Sequence, residues 1–425
     1  MTALVINSII GASIFGLPAE LIRLLGRASP IAVVAAALIV SIIIASMAEV
    51  ASQFSETGGP YLYVRTAFGR FAGLQVGWFW VLASIAGGAG SANLFVQYLA
   101  SLWPAAGHVG ARIAIMAFLI FVPAAANYVG VRSGANLSSI LTIAKLLPLS
   151  LLIVLGLARF NHHPQTLSMI EFTHPGISAW LRALLLLIFA YSGFENTLAP
   201  SGEVKDPRKT LPFALAIGLL VCAVLYALTQ FVTVATIGTS LSLHPLADTA
   251  SALLSRGGAM FVALAVMVST YGWIAGDLVI SPRIVYAFAA TGDAPEALAK
   301  IHPRFHTPVF AIVLYAAVTW LLAVTGAFLW VAAVSAASSL VLYSAVCASL
   351  IRLRQVRPDA NALRISFGPA LAVASIAISL ALISALNLRQ AGLMGFTALM
   401  ATANWWWAKR QESKTASKIA VASLP

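Results

Sequence analysis

The chain reads as an all-α polytopic membrane protein, and three observations predict it. The 425 residues are 60% hydrophobic and only 9% charged, with a mean hydropathy of +0.94; ordinary soluble domains do not reach these values. Apolar runs of the ~20 residues that one membrane crossing needs recur along the whole length. Two of those runs break in the middle, at IIGASIFGLP (9–18) and, about 180 residues later, at FAYSGFE (189–195). In hydrocarbon each unsatisfied backbone N–H or C=O costs several kcal/mol, so unwound turns persist only where protein, water or a ligand takes up the freed groups. Paired breaks of this kind imply a transporter with a ligand site near the bilayer midplane.

Twelve spans follow in order at 3–23, 30–53, 72–101, 111–127, 135–158, 179–200, 211–237, 257–290, 308–325, 328–350, 366–386 and 390–408. The first has no basic residue ahead of it and contains Gly11, Gly16 and Pro18, unlike the compact apolar region of a cleavable leader, so it is expected to be retained. Because Thr2 and Ala3 already lie near the membrane, a short or misassigned N-terminus is expected. The fifth span carries Lys145, the sixth the second break, and the eighth Asp277. Trp405, Trp406 and Trp407 ahead of Lys409 and Arg410 read as an interfacial anchor closing the twelfth span. The residues after it, 409–425, form a Lys- and Ser-containing tail.

Of the 25 lysines and arginines, 17 fall on one side of these spans, 7 on the other and Lys145 within one. Cytoplasmic loops retain positive charge, which predicts that both termini are cytoplasmic and that the protein sits in the plasma (cell inner) membrane. The net charge of +12 then reflects loops facing anionic lipid and needs no nucleic-acid partner. Cys222 and Cys347 both lie within spans, which excludes a disulfide framework. No Cys/His cluster has ligand spacing, and His162 with His163 reads as an exposed loop pair, so neither a metal nor a cofactor is expected.

A helix interrupted at Gly11, Ala12 and Ser13 leaves N–H groups at the start of its second half without partners, and the half-helix dipole adds partial positive charge there. That is a receptor for a carboxylate. The preceding carbonyls near Ile9 and Ile10, with Phe189 and Ala190 from the second break, suit an ammonium group. One α-amino acid zwitterion satisfies both ends. A glycine kink serving only close helix packing is the plainer alternative.

At these residues the chain resembles the amino acid–polyamine–organocation (APC) superfamily, more closely its amino acid permeases, including the light-subunit-like bacterial exchangers. IIGASIFGLP resembles the first-helix motif of that family, and AEVASQFSETGGPYLYVRTAFG (48–69) its second-helix and loop signature. Further blocks are NYVGVRSGA (127–135), FAYSGFE with SGEVKDPRKTLPFA (201–214), and the stretch from SPRIVYAFAATGDAP to HTP (281–308). Together they cover nearly the whole chain. The resemblance implies a LeuT-like core of two inverted five-helix repeats, 1–158 and 179–350, followed by two additional helices, 366–408. It also implies that the Ala12 and Ser13 amides hold a substrate carboxylate, that the Ile9 carbonyl takes the amine with help from Phe189, and that the Phe189 ring closes over the substrate. Ser13 departs from the family's usual glycine, and its hydroxymethyl group is expected to intrude on the site and favour small or medium substrates.

The candidate substrate-binding set is therefore Ile9, Gly11, Ala12, Ser13, Ile14, Phe189, Ala190, Tyr191, Ser192 and Gly193. Lys145, Glu195, Asp277 and Phe189 are the candidate coupling or gating groups, with Tyr343 a further expected liner. A cation placed midway along a span costs about 2.5–3.5 kcal/mol on insertion scales, so something must compensate Lys145. By the resemblance it occupies the place where sodium-coupled relatives bind a cation, touching the first and eighth helices, either as a proton-exchanging group or as a permanent clamp on the first helix. Glu195 is expected to accept orphan N–H groups at the second break. Asp277 is expected either to attract a substrate amine or sense protons, or to pair with Lys145 or a hydroxyl. Glu49, Glu203, Asp206 and Arg208, near Arg65 and Arg70, are candidates for an inner gate, with solvated loop charges the plainer account.

The function expected is a secondary active transporter of small or medium neutral L-amino acids, as proton symporter or exchanger, with an amino acid and the bilayer as partners and no partner subunit evident. Polyamine or cationic amino acid transport is the alternative. A proton-pump subunit would show more ionisable groups in series, a channel would lack the paired breaks, and no converging catalytic set supports an enzyme.

Overall fold

The computed structural model describes residues 1–54, 56, 58–130, 135–162, 175–198, 206–239, 242–358 and 363–422. Among them the chain forms α-helices and short 3-10 turns, with no strand. The helices are α1 (Thr2–Ile9), α2 (Ser13–Gly16), α3 (Pro18–Leu25), α4 (Ser29–Ala51), α5 (Gly59–Phe68), α6 (Arg70–Leu102), α7 (Val109–Val129), α8 (Ala135–His162) and α9 (Ile177–Tyr191). They continue as α10 (Pro207–Ile237), α11 (Pro245–Leu254), α12 (Arg256–Ile280), α13 (Pro282–Ala290), α14 (Val309–Thr325), α15 (Phe328–Val356), α16 (Gly368–Ile383) and α17 (Leu388–Ala422). Seven segments are long and apolar enough to cross a membrane, and shorter apolar helices accompany them. Outward residues such as Leu38, Phe118, Val154, Leu321 and Leu380 are exposed, the surface a bilayer solvates. The protein is an integral, multi-pass membrane protein.

Each expected apolar run falls on helix, with three differences. The first run is three pieces, α1, α2 and α3. Two short helices, α5 and α11, occupy stretches read as loop; each starts with proline in its first turn, where a missing N–H costs nothing. The last helix continues past Trp407 through AKRQESK, a run of good helix formers without Gly or Pro, instead of ending in a tail. His162 ends α8, and His163 and Glu203 lie outside the described residues.

The bundle is built around α6, against which α12, α14 and α15 pack, while α4 packs on α10, α15 and α9. A buried stretch of small residues from Ala86 to Ala92 makes this possible. At Gly87 a Cβ would lie 2.7 Å from the Trp273 ring, so the absent side chain is what admits the indole.

Two ionic knots tie helix ends together on the arginine-rich side. Glu49, 1% exposed, receives Arg354 as a fork, Nε to Oε1 at 2.6 Å and Nη2 to Oε2 at 2.8 Å. It also accepts the Ile365 N–H at 3.0 Å. Glu49 thus pairs with Arg354 of α15, a partner not among the candidates for an inner gate. Those two arginines converge on Asp293, fully buried after α13, together with the Tyr61 hydroxyl. Burial, then the Asp293 carboxylate, raise the Tyr61 phenol above its usual range, which keeps it a donor. Arg70 reaches on to Glu412 of α17 at 2.7 Å. Asp206 is exposed and only 3.9 Å from Lys209, a pair worth little.

Arg354→Ala leaves the Glu49 carboxylate buried without its cation, which costs about 3–5 kcal/mol. A marked fall in the apparent unfolding temperature in detergent is expected, with Arg354→Lys recovering only part because it lacks the fork. An unchanged midpoint would show that the Ile365 amide alone suffices.

Candidate functional site

The two sequence breaks are breaks in the structure, and they touch. Helix α1 stops at Ile9 because Ile10 turns to φ −75°, ψ 98°, and winding resumes only at Ser13. Among the described residues nothing accepts from the N–H groups of Gly11, Ala12 and Ser13. Helix α9 stops at Tyr191, Ser192 is extended, and Gly193 adopts φ +105°, a region that favours glycine. The Ser8 hydroxyl donates to the Gly193 carbonyl at 2.6 Å. The Ser13 hydroxyl points across to the Ala190 carbonyl at 3.4 Å. It therefore bridges the two breaks.

The exposed carbonyls of α1 are each held by a different neighbour. Trp273 Nε1 of α12 donates to Ser8 at 3.2 Å, the Tyr226 hydroxyl of α10 to Ile9 at 3.3 Å, and Ser269 Oγ of α12 to Gly11 at 3.2 Å. Lys145 Nζ of α8 donates to Ile10 at 2.9 Å and to Asn7 at 3.4 Å. These carbonyls lie at the negative end of the α1 dipole, so a cation placed there is stabilised without a carboxylate. The lysine is 0% exposed and does not pair with Asp277.

Beside the crossing is a small cavity. Of the predicted set, Ile9, Gly11, Ala12, Ser13, Phe189, Ser192, Gly193 and Glu195 line it. Ile14, Ala190 and Tyr191 do not. The Tyr191 side chain turns the other way, its hydroxyl donating to Val33 of α4 at 3.1 Å and its ring 5.2 Å from Tyr226. Lys145 and Asp277 are also outside the lining. Phe189 forms part of the wall and meets Phe328 edge-on at 6.2 Å.

Glu195 closes the second break locally. Its Oε2 accepts the Gly193 N–H at 2.9 Å and the Tyr343 hydroxyl at 2.8 Å. Tyr343 thus reaches the cavity only through Glu195, where a direct lining role was expected. Asp277 binds Ser281 and Tyr315, the hydroxyl alternative among its expected partners.

The rest of the wall went unseen in the sequence. Ser84 and Ser91 come from α6, Ser335 from α15, Asn196 from the turn after Gly193, and Trp273 from α12. The Trp273 indole lies between the first break and α6, since a Cβ at Gly11 would approach it to 2.9 Å. Asn196 is fixed by Trp80, whose Nε1 donates to Oδ1 at 2.8 Å. The wall therefore combines main chain of both breaks with the hydroxyl side chains of Ser84, Ser91, Ser192 and Ser335.

Comparison with known proteins identifies the family. The family described as "Amino acid permease" matches residues 1–408. The chain is 29% identical to the "Serine/threonine exchanger SteT" of Bacillus subtilis (strain 168), covering 73% of this chain and 72% of the relative. It is 28% identical to "Cationic amino acid transporter 4" of Homo sapiens, over 72% of this chain and 51% of the relative. To "Large neutral amino acids transporter small subunit 2" of Oryctolagus cuniculus it is 27% identical, over 84% of this chain and 69% of the relative. These relatives are named as transporters, not enzymes. With its broken helices meeting at one cavity and a family match over nearly its whole length, the chain belongs to the amino acid permease family of the APC superfamily.

Proposed function

We propose that the protein is a secondary active transporter of small neutral L-amino acids, serine and threonine foremost, working by alternating access as an exchanger or proton symporter. The contact between the two breaks carries this reading. It presents the unpartnered Gly11, Ala12 and Ser13 amides to a cavity whose walls hold Ser84, Ser91, Ser192 and Ser335. The amides receive the carboxylate. Ile9, already accepting from Tyr226, keeps one lone pair for the amine, because a carbonyl oxygen has two. The hydroxyls suit a short polar side chain, and the relative named as a serine/threonine exchanger supports that choice.

Cationic substrates fit less well, although one relative is named for them. The carboxylate in the wall, Glu195, is engaged by Gly193 and Tyr343. We place both termini in the cytoplasm and the protein in the cell's plasma (inner) membrane, from the lysine and arginine bias. Residues 1–158 and 179–350 form inverted repeats in this reading, the helices bearing the breaks rocking against the remainder. No cofactor or partner subunit enters the proposal.

Counterflow of radiolabelled amino acids into proteoliposomes tests it. Internal serine or threonine is expected to drive uptake of either labelled amino acid, with lysine and putrescine competing weakly. Dominant competition by lysine would transfer the reading to cationic substrates, and absence of exchange with every amino acid would overturn it.

A further inference from the structure

One buried acid has no part in the cavity. Asp277 sits in α12, 6% exposed, where its Oδ1 accepts Ser281 Oγ at 2.6 Å and its Oδ2 accepts the Tyr315 hydroxyl of α14 at 2.7 Å. Among the described residues no lysine, arginine or histidine pairs with it.

Among the described residues, the groups that stand against it are neutral. Helix α6 presents Ser84 and Gly88, whose Cβ position is 3.9 Å from Asp277 Oδ2. Helix α14 presents Tyr315 and Thr319. Helix α7 presents Asn127, committed to the Leu278 carbonyl at 2.7 Å. The lysine of α8, Lys145, is bound to Ile10 and Asn7. On α13, Arg283 is exposed, and the acid of α11, Asp248, lies beside Tyr98. A carboxylate here has two hydroxyl donors and no counter-charge; a carboxylic acid needs none.

A polar route joins this acid to the cavity. Ser84 lines the cavity and stands one helical turn before Gly88, whose Cβ position is 3.0 Å from Thr319 and 3.9 Å from Asp277 Oδ2. Tyr315, one turn before Thr319 on α14, binds Asp277, and this register brings the Ser84 and Tyr315 hydroxyls to the same side of the α6–α14 contact.

We infer that Asp277 is a reversible proton-binding site that exchanges its proton with the substrate cavity through Tyr315 and Ser84. Cavity water gives a proton to Ser84 Oγ, the proton of Ser84 passes to the Tyr315 oxygen, and that of Tyr315 passes to Asp277 Oδ2. The water loses one proton, the carboxylate gains one, and both hydroxyls end as they began. Neutral Asp277 then donates to Tyr315, turning its hydroxyl toward Ser84 and the cavity wall. The protonation state thereby reaches the walls that contact substrate. The inference rests on the transport reading for its link to substrate, whereas the proton site itself can be observed without transport.

Infrared difference spectra of the purified protein in lipid, titrated from acid to alkaline pH, read the site directly. A carboxylic-acid carbonyl band is expected to disappear reversibly on alkalinisation, to be lost in Asp277→Asn, and to shift in Tyr315→Phe; Glu195→Gln identifies the band of Glu195, which is likewise buried with no cation paired to it among the described residues. In counterflow, Asp277→Asn is expected to lose the pH dependence seen in the wild type while still exchanging at acid pH. A titration in which no band is lost in Asp277→Asn overturns the proton site whatever transport shows. An unaltered pH profile in Asp277→Asn overturns its link to the cavity. Should Asp277→Asn fail to fold, an unshifted band in Tyr315→Phe overturns the route. Absence of wild-type exchange counts against the transport reading alone, because the band assay still decides the proton site.

Discussion

Gly193→Ala is expected to lower exchange by about 100-fold or more, the scale on which small misplacements of a substrate-positioning group act. Two independent effects add at this position. The backbone holds φ +105°, which costs an L-residue about 1–3 kcal/mol. The added Cβ would also lie 2.4 Å from the Ser8 carbonyl oxygen and 3.1 Å from its carbon. Those are main-chain atoms of the opposing break, so no side chain can swing aside. Relief requires the two breaks to separate, which stretches the 2.6 Å bond from Ser8 to Gly193 and turns the amide that Glu195 accepts.

Gly11→Ala supplies the comparison. Its Cβ would meet only the Trp273 ring, at 2.9 Å, and an indole edge can shift by a few tenths of an ångström. A smaller loss is therefore expected there. Counterflow rates, compared at equal amounts of monodisperse protein, check both. Near wild-type exchange by Gly193→Ala would mean that the crossing is not the binding centre.

The contrast between these glycines shows what could be read in advance. Each break was legible because an apolar run long enough to span contained glycine at its middle, a local signal that hydropathy and helix propensity both register. That the breaks face each other was not, because nothing near Gly193 encodes its distance from Ser8, 185 positions earlier. The same limit applies to the walls. Ser84, Ser91 and Ser335 lie on uninterrupted helices, where an isolated serine has no local signature, and Trp273 resembles any apolar helix residue until Gly11 and Gly87 are placed on either side of it. Their common signal is the run of small residues in α6 from Ala86 to Ala92, which marks a close approach without naming the partner.

Charged residues could be located along the chain, but their partners across it could not be read. Glu49 finds Arg354, some 300 positions away, while Arg65 and Arg70 find Asp293, a residue that had drawn no attention. In the sequence, Asp293 is one acid in the loop-like string ATGDAP. Only its burial between helix ends reveals that it bridges two arginines, a property of the fold's interior that charge counting along loops cannot supply.

Lys145→Met is the companion test, and it separates a clamp from a proton carrier. Methionine keeps the length and apolar stem of the side chain and removes the three N–H donors. The Ile10 carbonyl, held at 2.9 Å, loses that donor next to the break, and the cost of an orphaned buried acceptor is about 1–3 kcal/mol. Since Ser8, Ile9 and Gly11 keep their partners on α12 and α10, the break should loosen without collapsing. The expected result is a lower unfolding temperature and slower exchange at every pH, with the shape of the pH profile retained. That outcome makes Lys145 a fixed cation at the end of α1, because both acceptors it reaches are main-chain carbonyls and its own side chain is not part of the cavity wall. A profile flattened by Lys145→Met but not by Asp277→Asn would reverse the assignment. The exchanging proton would then belong to α8, and the hydroxyls around Asp277 would serve only to hold a buried acid in place.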